Sequence, residues 1–251
     1  MTRTDSNTPT RAPSSTDTRP AVTVDLVIFS VIDSELKVLL HQREDQPFRG
    51  TWSLPSEGLR VRHVGDQGES IEDAAQRTLT QETGLPVHSC FMQQLHTFGR
   101  AGRDPRMRVI SIAWVALVRP NLAAQVPSGD RQTTSQWFSV SEEVPWMRLA
   151  FDHAEILAMG AEQVGRTIDD SSLACRLVPH LFTVAELQSV YETTQHRRWD
   201  PRNFRRRFQR MVSDGIIVES PGKRHRGKAR PANVWRFAHA SEEPLQNKAS
   251  G

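Results

Sequence analysis

The sequence lacks several features that would assign it to a class at once. Its 251 residues include two cysteines, Cys90 and Cys175, which are too few and too isolated for a disulfide framework or a cysteine-based zinc site. No stretch approaches the roughly 18 apolar residues of a membrane helix, and the first twenty residues lack the apolar core of a signal peptide. We therefore expect a cytoplasmic protein with no membrane partner.

A strong overall charge is also missing, since the net charge is +3 at pH 7, but the charge is unevenly distributed. Residues 181–236 contain thirteen Lys and Arg against five Asp and Glu, a balance of +8, so the remainder carries −5. An acidic N-terminal part and a basic C-terminal part predict two modules with different partners, because a basic patch raises the local concentration of polyanions. Charge alone leaves open a solvated basic tail.

The apolar pattern divides the chain into five parts. Residues 1–20, rich in Thr, Ser, Pro and Asp, are predicted to be a disordered leader, and residues 241–251 a disordered tail. Residues 21–165 alternate strand-like runs with two helical patterns, which implies a mixed sheet between helical layers. Residues 181–240 form a smaller basic domain, and residues 166–180 are predicted to be the linker.

The first two strand-like runs, at 22–31 and 36–41, are predicted to form a hairpin with a short turn at Asp33 and Ser34.

A helix with clear ends is predicted from Ser70. Ser70 and Asp73 have the spacing of a capping box, and Gly84 stands where a helix ends. This segment, ESIEDAAQRTLTQETGL at 69–85, resembles the second part of the Nudix box, and the resemblance implies a Nudix fold over about residues 22–164. Six residues stand at the spacing of that family: Glu69, Arg77, Leu79, Glu82, Gly84 and Leu85.

The metal-binding positions of the box are altered in this sequence. The family places three carboxylates at i, i+3 and i+4 of one helix face, where they hold divalent ions against a diphosphate. Here these positions are Thr78, Gln81 and Glu82, so two anionic ligands are missing. Ten residues also separate Gly58 from Glu69, where the family has five. We therefore predict no catalytic residue and no metal site, with an active hydrolase of unusual site as the alternative.

An arginine-rich loop precedes the apolar strand at 109–118. Guanidinium groups bind phosphate in a bidentate manner, so this loop, LHTFGRAGRDPRMR, is a candidate anion site, although a solvated loop has the same composition. The loop and the segment LAFDH at 149–153 resemble ADP-ribose-type Nudix domains and the Nudix-related regulators of NAD metabolism, the NrtR family. The resemblance implies ADP-ribose or a related nucleotide as effector, with no cofactor required. The implied pocket residues are Phe98, Arg103, Asp104, Arg106 and Arg108.

Two neighbours of this loop invite a catalytic interpretation. Asp152 precedes a predicted helix and is followed by His153. Since Asp at such a position usually caps the helix and an adjacent His is usually structural, we predict a capping Asp152.

The basic domain has the pattern of a winged helix-turn-helix. Thr183 and Glu186 form a capping box, and Asp200 and Pro201 begin a second helix. Apolar residues of that second helix share one face, and two short strands at 216–218 and 234–237 flank a basic wing. The whole chain is therefore predicted to be α+β, a Nudix-fold mixed sheet between helices with a C-terminal winged helix-turn-helix domain.

The opposite face of this helix is basic and suited to double-stranded DNA. The segment LFTVAELQSVYETTQHRRWDPRNFRRRF resembles the DNA-binding region of the same NrtR regulators. Arg and Asn can read base edges in the major groove, and basic wing residues can contact phosphates. The candidate DNA-binding residues are Arg202, Asn203, Arg205, Arg206, Gln209, Arg210, Lys223, Arg224, Arg226, Lys228 and Arg230.

Together these features predict a transcriptional regulator with two partners, operator DNA and a nucleotide effector. We expect a repressor of NAD-metabolism genes that binds as a homodimer, because such domains usually read paired half-sites. An activator, a sugar-catabolism regulator of the same architecture and an active ADP-ribose pyrophosphatase remain open. An RNA-binding Nudix protein is less favoured, because Phe204 and Phe208 face the predicted core and cannot stack on bases.

Overall fold

The computed structural model describes residues 19–61, 63, 65–127, 134–224 and 231–238. They form a mixed sheet between helices, followed by a small helical domain with its own two-stranded sheet. The strands are β1 (Ala21–Ile32), β2 (Glu35–Gln42), β3 (Trp52–Ser53), β4 (Ser56–Gly58), β5 (Phe91–Phe98), β6 (Val109–Leu117), β7 (Ser135–Ser139), β8 (Ile217–Arg224) and β9 (Ala232–Phe237). The helices are α1 (Ile71–Thr83), α2 (Pro120–Ala123), α3 (His153–Thr167), α4 (Ser171–Leu177), α5 (Val184–Thr194) and α6 (Pro201–Ser213).

The large sheet is built around β1. Its order is β3-β2-β1-β6-β5, with β4 paired to β1 and β7 paired to β2. The β1–β6 pair is parallel, and the other pairs are antiparallel. Asp33 and Ser34 have φ of 54° and 69° in the β1–β2 turn, as the tight hairpin turn predicted for these residues requires.

Side chains of β1 alternate between two apolar layers. Val24, Leu26 and Ile28 pack in the layer that contains α1, whereas Val27 and Phe29 pack in the layer that contains α3. Helix α1 begins where the sequence predicts, because the Ser70 hydroxyl accepts a hydrogen bond from the Asp73 amide, and it ends at Gly84 with φ of 69°.

The predicted linker at 166–180 is instead part of the packed structure. Helix α3 continues to Thr167, and α4 follows after a short turn. Leu173 and Leu177 of α4 are buried in the same apolar cluster as Phe29 of the sheet and Phe208 of α6. The two domains therefore share one continuous core, to which residues of the predicted linker contribute.

The second domain begins both of its helices as predicted. Both hydrogen bonds of the Thr183–Glu186 capping box are present, and the Asp200 carboxylate accepts from the Asn203 amide. Strands β8 and β9 are longer than the predicted segments 216–218 and 234–237. No helix among the residues placed by the structure is both long and apolar enough to cross a membrane.

Helix α3 approaches α5 of the second domain closely at Gly165. A Cβ at this position would lie 2.5 Å from the carbonyl oxygen of Thr194 at the end of α5. Beside this contact, the Leu36 amide donates to the Thr193 hydroxyl at 2.7 Å. Glycine is therefore required where α3 and α5 meet, and α5 is also held by the β1–β2 hairpin.

We predict that Gly165→Ala destabilises the protein, although alanine favours a helix by about 1 kcal/mol. The overlap with Thr194 should lower the free energy of unfolding by roughly 1–3 kcal/mol, as measured by chemical denaturation. Gly160→Ala is the matched control, because its Cβ would meet the Val27 side chain at 3.4 Å rather than backbone. Equal stability of the two variants would contradict the prediction.

Candidate functional site

Arg77 connects helix α1 to the loop that precedes it. The Arg77 guanidinium group donates to both carboxylate oxygens of Glu69, at 2.6 and 3.0 Å, and to the Gly58 carbonyl at 3.0 Å. The hydrogen bond from Arg77 holds the pKa of Glu69 below its usual value. This box arginine therefore fixes the loop between β4 and α1.

The three positions that correspond to metal-binding carboxylates are engaged within the protein. Thr78 is fully buried and its hydroxyl donates to the Ala74 carbonyl at 2.8 Å. The Gln81 amide oxygen accepts from Arg77 at 3.1 Å. Glu82 lies 3.5 Å from His41 and accepts from Ser135, and this carboxylate raises the pKa of His41. The one remaining carboxylate thus faces a protein group that becomes cationic as pH falls.

A cavity of about 220 Å³ lies between the sheet and the start of α3. Residues from β1, from β4, from the loop after β2, from the β5–β6 loop and from the segment before α3 line this cavity. Its lining consists of Thr23, Asp25, Arg43, Ser56, Gly58, Arg103, Asp104, Arg106, Val109, Phe151 and His153. Three of the five predicted pocket residues are therefore brought together, and Arg43 and Phe151 join them.

Arg103 does not present a free guanidinium group to this cavity. Its Nε and Nη2 donate to the two oxygens of Asp152 at 2.9 and 2.6 Å, and Nη2 also donates to Asp25 at 3.1 Å. All three side chains are at most 4% exposed. Arg103 therefore lines the cavity while it is held in a buried ion pair, and its contact with phosphate stays a prediction. The capping role predicted for Asp152 is wrong for its side chain, which makes no capping hydrogen bond and binds Arg103 instead.

Asp25 and His153 complete this buried network. Burial alone would raise the pKa of Asp25, but the hydrogen bond from the Ser111 hydroxyl and the charge of Arg103 lower it. His153 accepts a hydrogen bond at Nδ1 from the Leu54 amide, and burial lowers its pKa, so the ring is neutral. One guanidinium then faces two carboxylates, and the buried Asp25 Oδ1 has no hydrogen-bond partner among the residues described.

The cationic side of the cavity is formed by Arg43 and Arg106. Their guanidinium carbons lie 4.8 and 5.8 Å from the centre of the Phe151 ring. Arg106 is 56% exposed and is held by Asp104 through a bidentate ion pair at 2.7 and 3.0 Å. Burial, and then the charge of Arg106, lower the pKa of Arg43. Two neighbouring guanidinium groups that repel each other are typical of a site for a polyanion.

The other two predicted pocket residues lie elsewhere. Phe98 is 7% exposed and packs in the apolar core, with its ring against His96. Arg108 is exposed and donates to the Arg100 carbonyl at 3.1 Å. Neither lines the cavity. The sequence pattern of the loop does not distinguish Phe98 and Arg108 from Arg106, because the environment of each side chain depends on strands that are distant in the chain.

Helix α6 separates its apolar and basic faces as predicted. Phe204, Phe208 and Met211 are buried, and Phe208 contacts the Trp235 ring at 5.0 Å between centroids. On the basic face, the Arg206 guanidinium donates to the Asn203 amide oxygen. Six predicted DNA-binding residues are all exposed there: Arg202, Asn203, Arg205, Arg206, Gln209 and Arg210.

The predicted wing residues have different environments. Lys223 is exposed at the end of β8. Arg224 donates to Glu186 at 2.5 Å and to the Leu181 carbonyl at 2.9 Å, so it holds the wing against the start of α5. Its contact with DNA stays a prediction. Arg226, Lys228 and Arg230 lie outside the described residues.

The turn between α5 and α6 adds basic groups that the sequence pattern did not single out. The Arg197 guanidinium lies 4.3 Å from the centre of the Trp199 ring. These two residues join Asn203, Arg206 and Arg210 around an open depression of about 780 Å³. The string HRRWD ahead of Pro201 was a signal for this extension, since basic residues beside an aromatic often bind polyanions.

Comparisons with known proteins match both halves of this structure. A profile of the NUDIX domain matches residues 21–159, and a profile of the NrtR DNA-binding winged helix domain matches residues 174–237. The ADPR responsive transcriptional repressor NtrR of Acinetobacter baylyi is 32% identical over 219 residues, which cover 87% of this chain and 82% of that protein. The chain belongs to the NrtR family.

Two further matches bear on the family assignment. The crystal structure of Shewanella oneidensis NrtR complexed with a 27mer DNA has a TM-score of 0.69 and 28% identity, covering 86% of this chain and 93% of that chain. An ADP-ribose pyrophosphatase of Methanocaldococcus jannaschii is 33% identical over 140 residues, or 55% of this chain and 71% of that enzyme. The predicted Nudix fold and winged helix of this NrtR family member are thereby confirmed.

The buried ion pair yields a stability prediction. Arg103→Met leaves Asp25 and Asp152 buried without their cation, which should lower the free energy of unfolding by about 3–5 kcal/mol at neutral pH. Because the folded-state pKa of Asp25 lies below 3.8, this stabilisation exists above the unfolded value and is lost as pH falls through the folded value. The difference from wild type should therefore narrow below about pH 4.

Arg100→Met provides the matched control for this measurement. It removes a guanidinium from the same loop, but the side chains of Arg100 and its partner Glu155 are 70% and 57% exposed. We expect a loss below about 1 kcal/mol in chemical denaturation. Similar losses for both variants would show that the two arginines do not have the separate roles assigned to them.

Proposed function

We propose that this NrtR family member is a transcriptional repressor that binds double-stranded operator DNA through its winged helix and responds to ADP-ribose bound in its Nudix domain. The observation that carries the proposal is one chain with an exposed basic face on α6 and a separate cavity with a cationic rim. The Acinetobacter relative is an ADPR responsive repressor, which supports the same pairing of functions. NAD-metabolism genes are the proposed targets.

The cavity offers different groups to the two parts of a nucleotide diphosphate. Arg43 and Arg106 supply donors for the diphosphate at the rim. The Asp25 Oδ1 atom is a buried acceptor without a partner, which suits a ribose hydroxyl. The volume of about 220 Å³ is below the roughly 300–1,000 Å³ of typical ligand sites, so the remainder of the ligand lies outside it.

The proposal includes binding without efficient hydrolysis. A divalent ion at α1 would meet the engaged hydroxyl of Thr78, the engaged amide of Gln81 and one carboxylate, Glu82. Hard Mg²⁺ prefers several anionic oxygen ligands, and this set supplies one. Catalytic hydrolysis is the second candidate function, favoured by the similarity to the Methanocaldococcus enzyme. No cofactor is required for the proposed sensing role.

We also propose that the chain acts as a homodimer. Winged helix-turn-helix regulators read two half-sites through a symmetric pair of domains, and α6 supplies one such reading surface per chain. Sedimentation in the presence of operator DNA tests this point.

The discriminating experiment combines a gel-shift series with a hydrolysis assay. The upstream region of the protein's own gene is titrated with and without ADP-ribose, and AMP release is followed with Mg²⁺ or Mn²⁺. The proposal expects a specific shift that ADP-ribose abolishes and no ordinary enzyme turnover. Robust turnover without a specific shift supports the hydrolase, and preference for single-stranded RNA supports an RNA-binding protein.

For the cavity, we predict that Arg106→Ala weakens ADP-ribose binding by roughly ten- to one-hundred-fold. The loss corresponds to one or two charge-assisted hydrogen bonds of about 1.5–3 kcal/mol. Isothermal titration calorimetry measures it. Arg100→Ala is the control, because Arg100 is 70% exposed, pairs with Glu155 at 3.6 Å and does not line the cavity. Unchanged affinity in Arg106→Ala counts against the assigned site.

For the DNA surface, we predict different effects of Arg206→Ala and Lys223→Ala. Arg206 lies at the centre of the exposed face of α6, so its loss should cost about 1–3 kcal/mol of discrimination between operator and unrelated DNA. Lys223 lies on the wing, and its loss should reduce the salt slope by about one with little change in discrimination. Binding titrations at several salt concentrations measure both. Equal effects on all DNA sequences would contradict the recognition role of α6.

A further inference from the structure

Helix α3 connects the cavity to the neighbourhood of the DNA-reading helix. At its start, Asp152 holds Arg103 and His153 lines the cavity. Its fifteen residues extend about 22 Å at 1.5 Å per residue. Just beyond its end, Asp169 reaches the second domain. One rigid element therefore has one end at the proposed effector site and the other at the proposed DNA-binding domain.

The contact at the far end involves a residue of α6 itself. Arg207 Nη2 lies 2.9 Å from Asp169 Oδ1, and the Gln195 amide donates to the same oxygen at 3.5 Å. The Arg207 guanidinium also lies 4.7 Å from the centre of the Tyr191 ring and donates to its hydroxyl at 3.3 Å. The side chain is 25% exposed, and its contacts with the Tyr191 ring restrict it independently of the ion pair.

This arrangement differs from an ordinary surface ion pair. An isolated exposed pair contributes little, because two mobile side chains must be ordered. Here Arg207 is already ordered by Tyr191, and its helix presents Asn203, Arg206 and Arg210 toward the open depression. The close approach of Gly165 to Thr194 prevents α3 from moving toward α5 at this end. A displacement of α3 is therefore transmitted to α5 and α6 rather than absorbed.

We propose that α3 couples the effector cavity to the recognition helix, with the Asp169–Arg207 ion pair as the contact that positions α6. The inference rests on the proposed function, because it explains how that function is regulated. A ligand that draws Arg43, Arg106 or Phe151 toward it acts beside the first turn of α3. Asp169 then holds or releases α6 according to the position of the other end of the helix. Asp169 is a positioning residue and does not contact DNA or ligand.

The test is Asp169→Asn in the full-length protein. Operator affinity is measured by fluorescence anisotropy with and without saturating ADP-ribose, and the ratio of the two dissociation constants gives the coupling. We expect this ratio to fall at least about five-fold toward one, while ADP-ribose still binds free protein as in wild type. By reciprocity, the effect of DNA on ADP-ribose affinity must fall by the same factor, which provides an internal check on the measured coupling.

Glu162→Gln is the matched control. It removes the same negative charge from a nearby position, but Glu162 pairs with Arg166 on its own helix. In this variant the ratio of the two dissociation constants for operator DNA should equal that of wild type. The comparison therefore distinguishes a general electrostatic effect on DNA affinity from a loss of coupling. The Asp169 side chain is 57% exposed, so the variant should fold, which thermal unfolding verifies.

Gly165→Ala supplies a second variant with a different physical cause. It forces α3 away from Thr194 without changing charge, and it should also lower the ratio. If Asp169→Asn and Gly165→Ala both bind DNA and ADP-ribose with the full wild-type ratio, the coupling proposal is overturned and the proposed function stands. If wild type itself shows no response to ADP-ribose, the proposed function fails and the coupling fails with it.

Discussion

The arrangement of the sensing domain depends on the buried ion pair of Arg103 with Asp25 and Asp152. It joins the first strand of the sheet, the β5–β6 loop and the start of α3, three segments with no reason to meet on local grounds. Because an unpaired charge at this depth would be costly, the three side chains define one geometry. That geometry sets the position of the buried side of the cavity and of the start of α3. It also leaves Asp25 Oδ1 as an acceptor without a hydrogen-bond partner among the described residues.

The arginines of this domain consequently divide into two kinds. Arg103 is buried and pairs with two internal carboxylates, whereas Arg43 and Arg106 lie beside the Phe151 ring at the rim of the cavity, and Arg106 is 56% exposed. Internal contacts also occupy the altered Nudix helix. Arg77 holds the loop, and Thr78, Gln81 and Glu82 contact protein groups. The Nudix fold is thus kept while these three side chains interact within the protein.

The two domains are packed as one body, which gives the proposed sensor a physical means of acting on DNA. A continuous apolar core runs from β1 through α4 to α6, and polar contacts at Thr193 and Asp169 tie both neighbouring helices of the winged domain to the first domain. Cores of this density have discrete arrangements rather than gradual deformations. A change at the start of α3 can therefore select between positions of α6.

The sequence by itself determined the features that depend on neighbours in the chain. The caps at Ser70, Thr183 and Asp200, the hairpin turn at Asp33, the Nudix spacing and the two faces of α6 are all local patterns, and each has its predicted place. Only the tertiary structure decided which charged groups are free. Arg103 and Asp25 are separated by 78 positions, and Arg103 and Asp152 by 49, so their pairing carries no local signal. For the same reason, the sequence pattern did not show that the predicted linker contains a packed helix or that the Asp152 side chain pairs with Arg103 instead of capping α3. It also did not show that Arg43 lies beside the β5–β6 loop, which is distant in the sequence. Burial and ion pairing are properties of the folded neighbourhood, whereas helix and strand periodicity are properties of the chain.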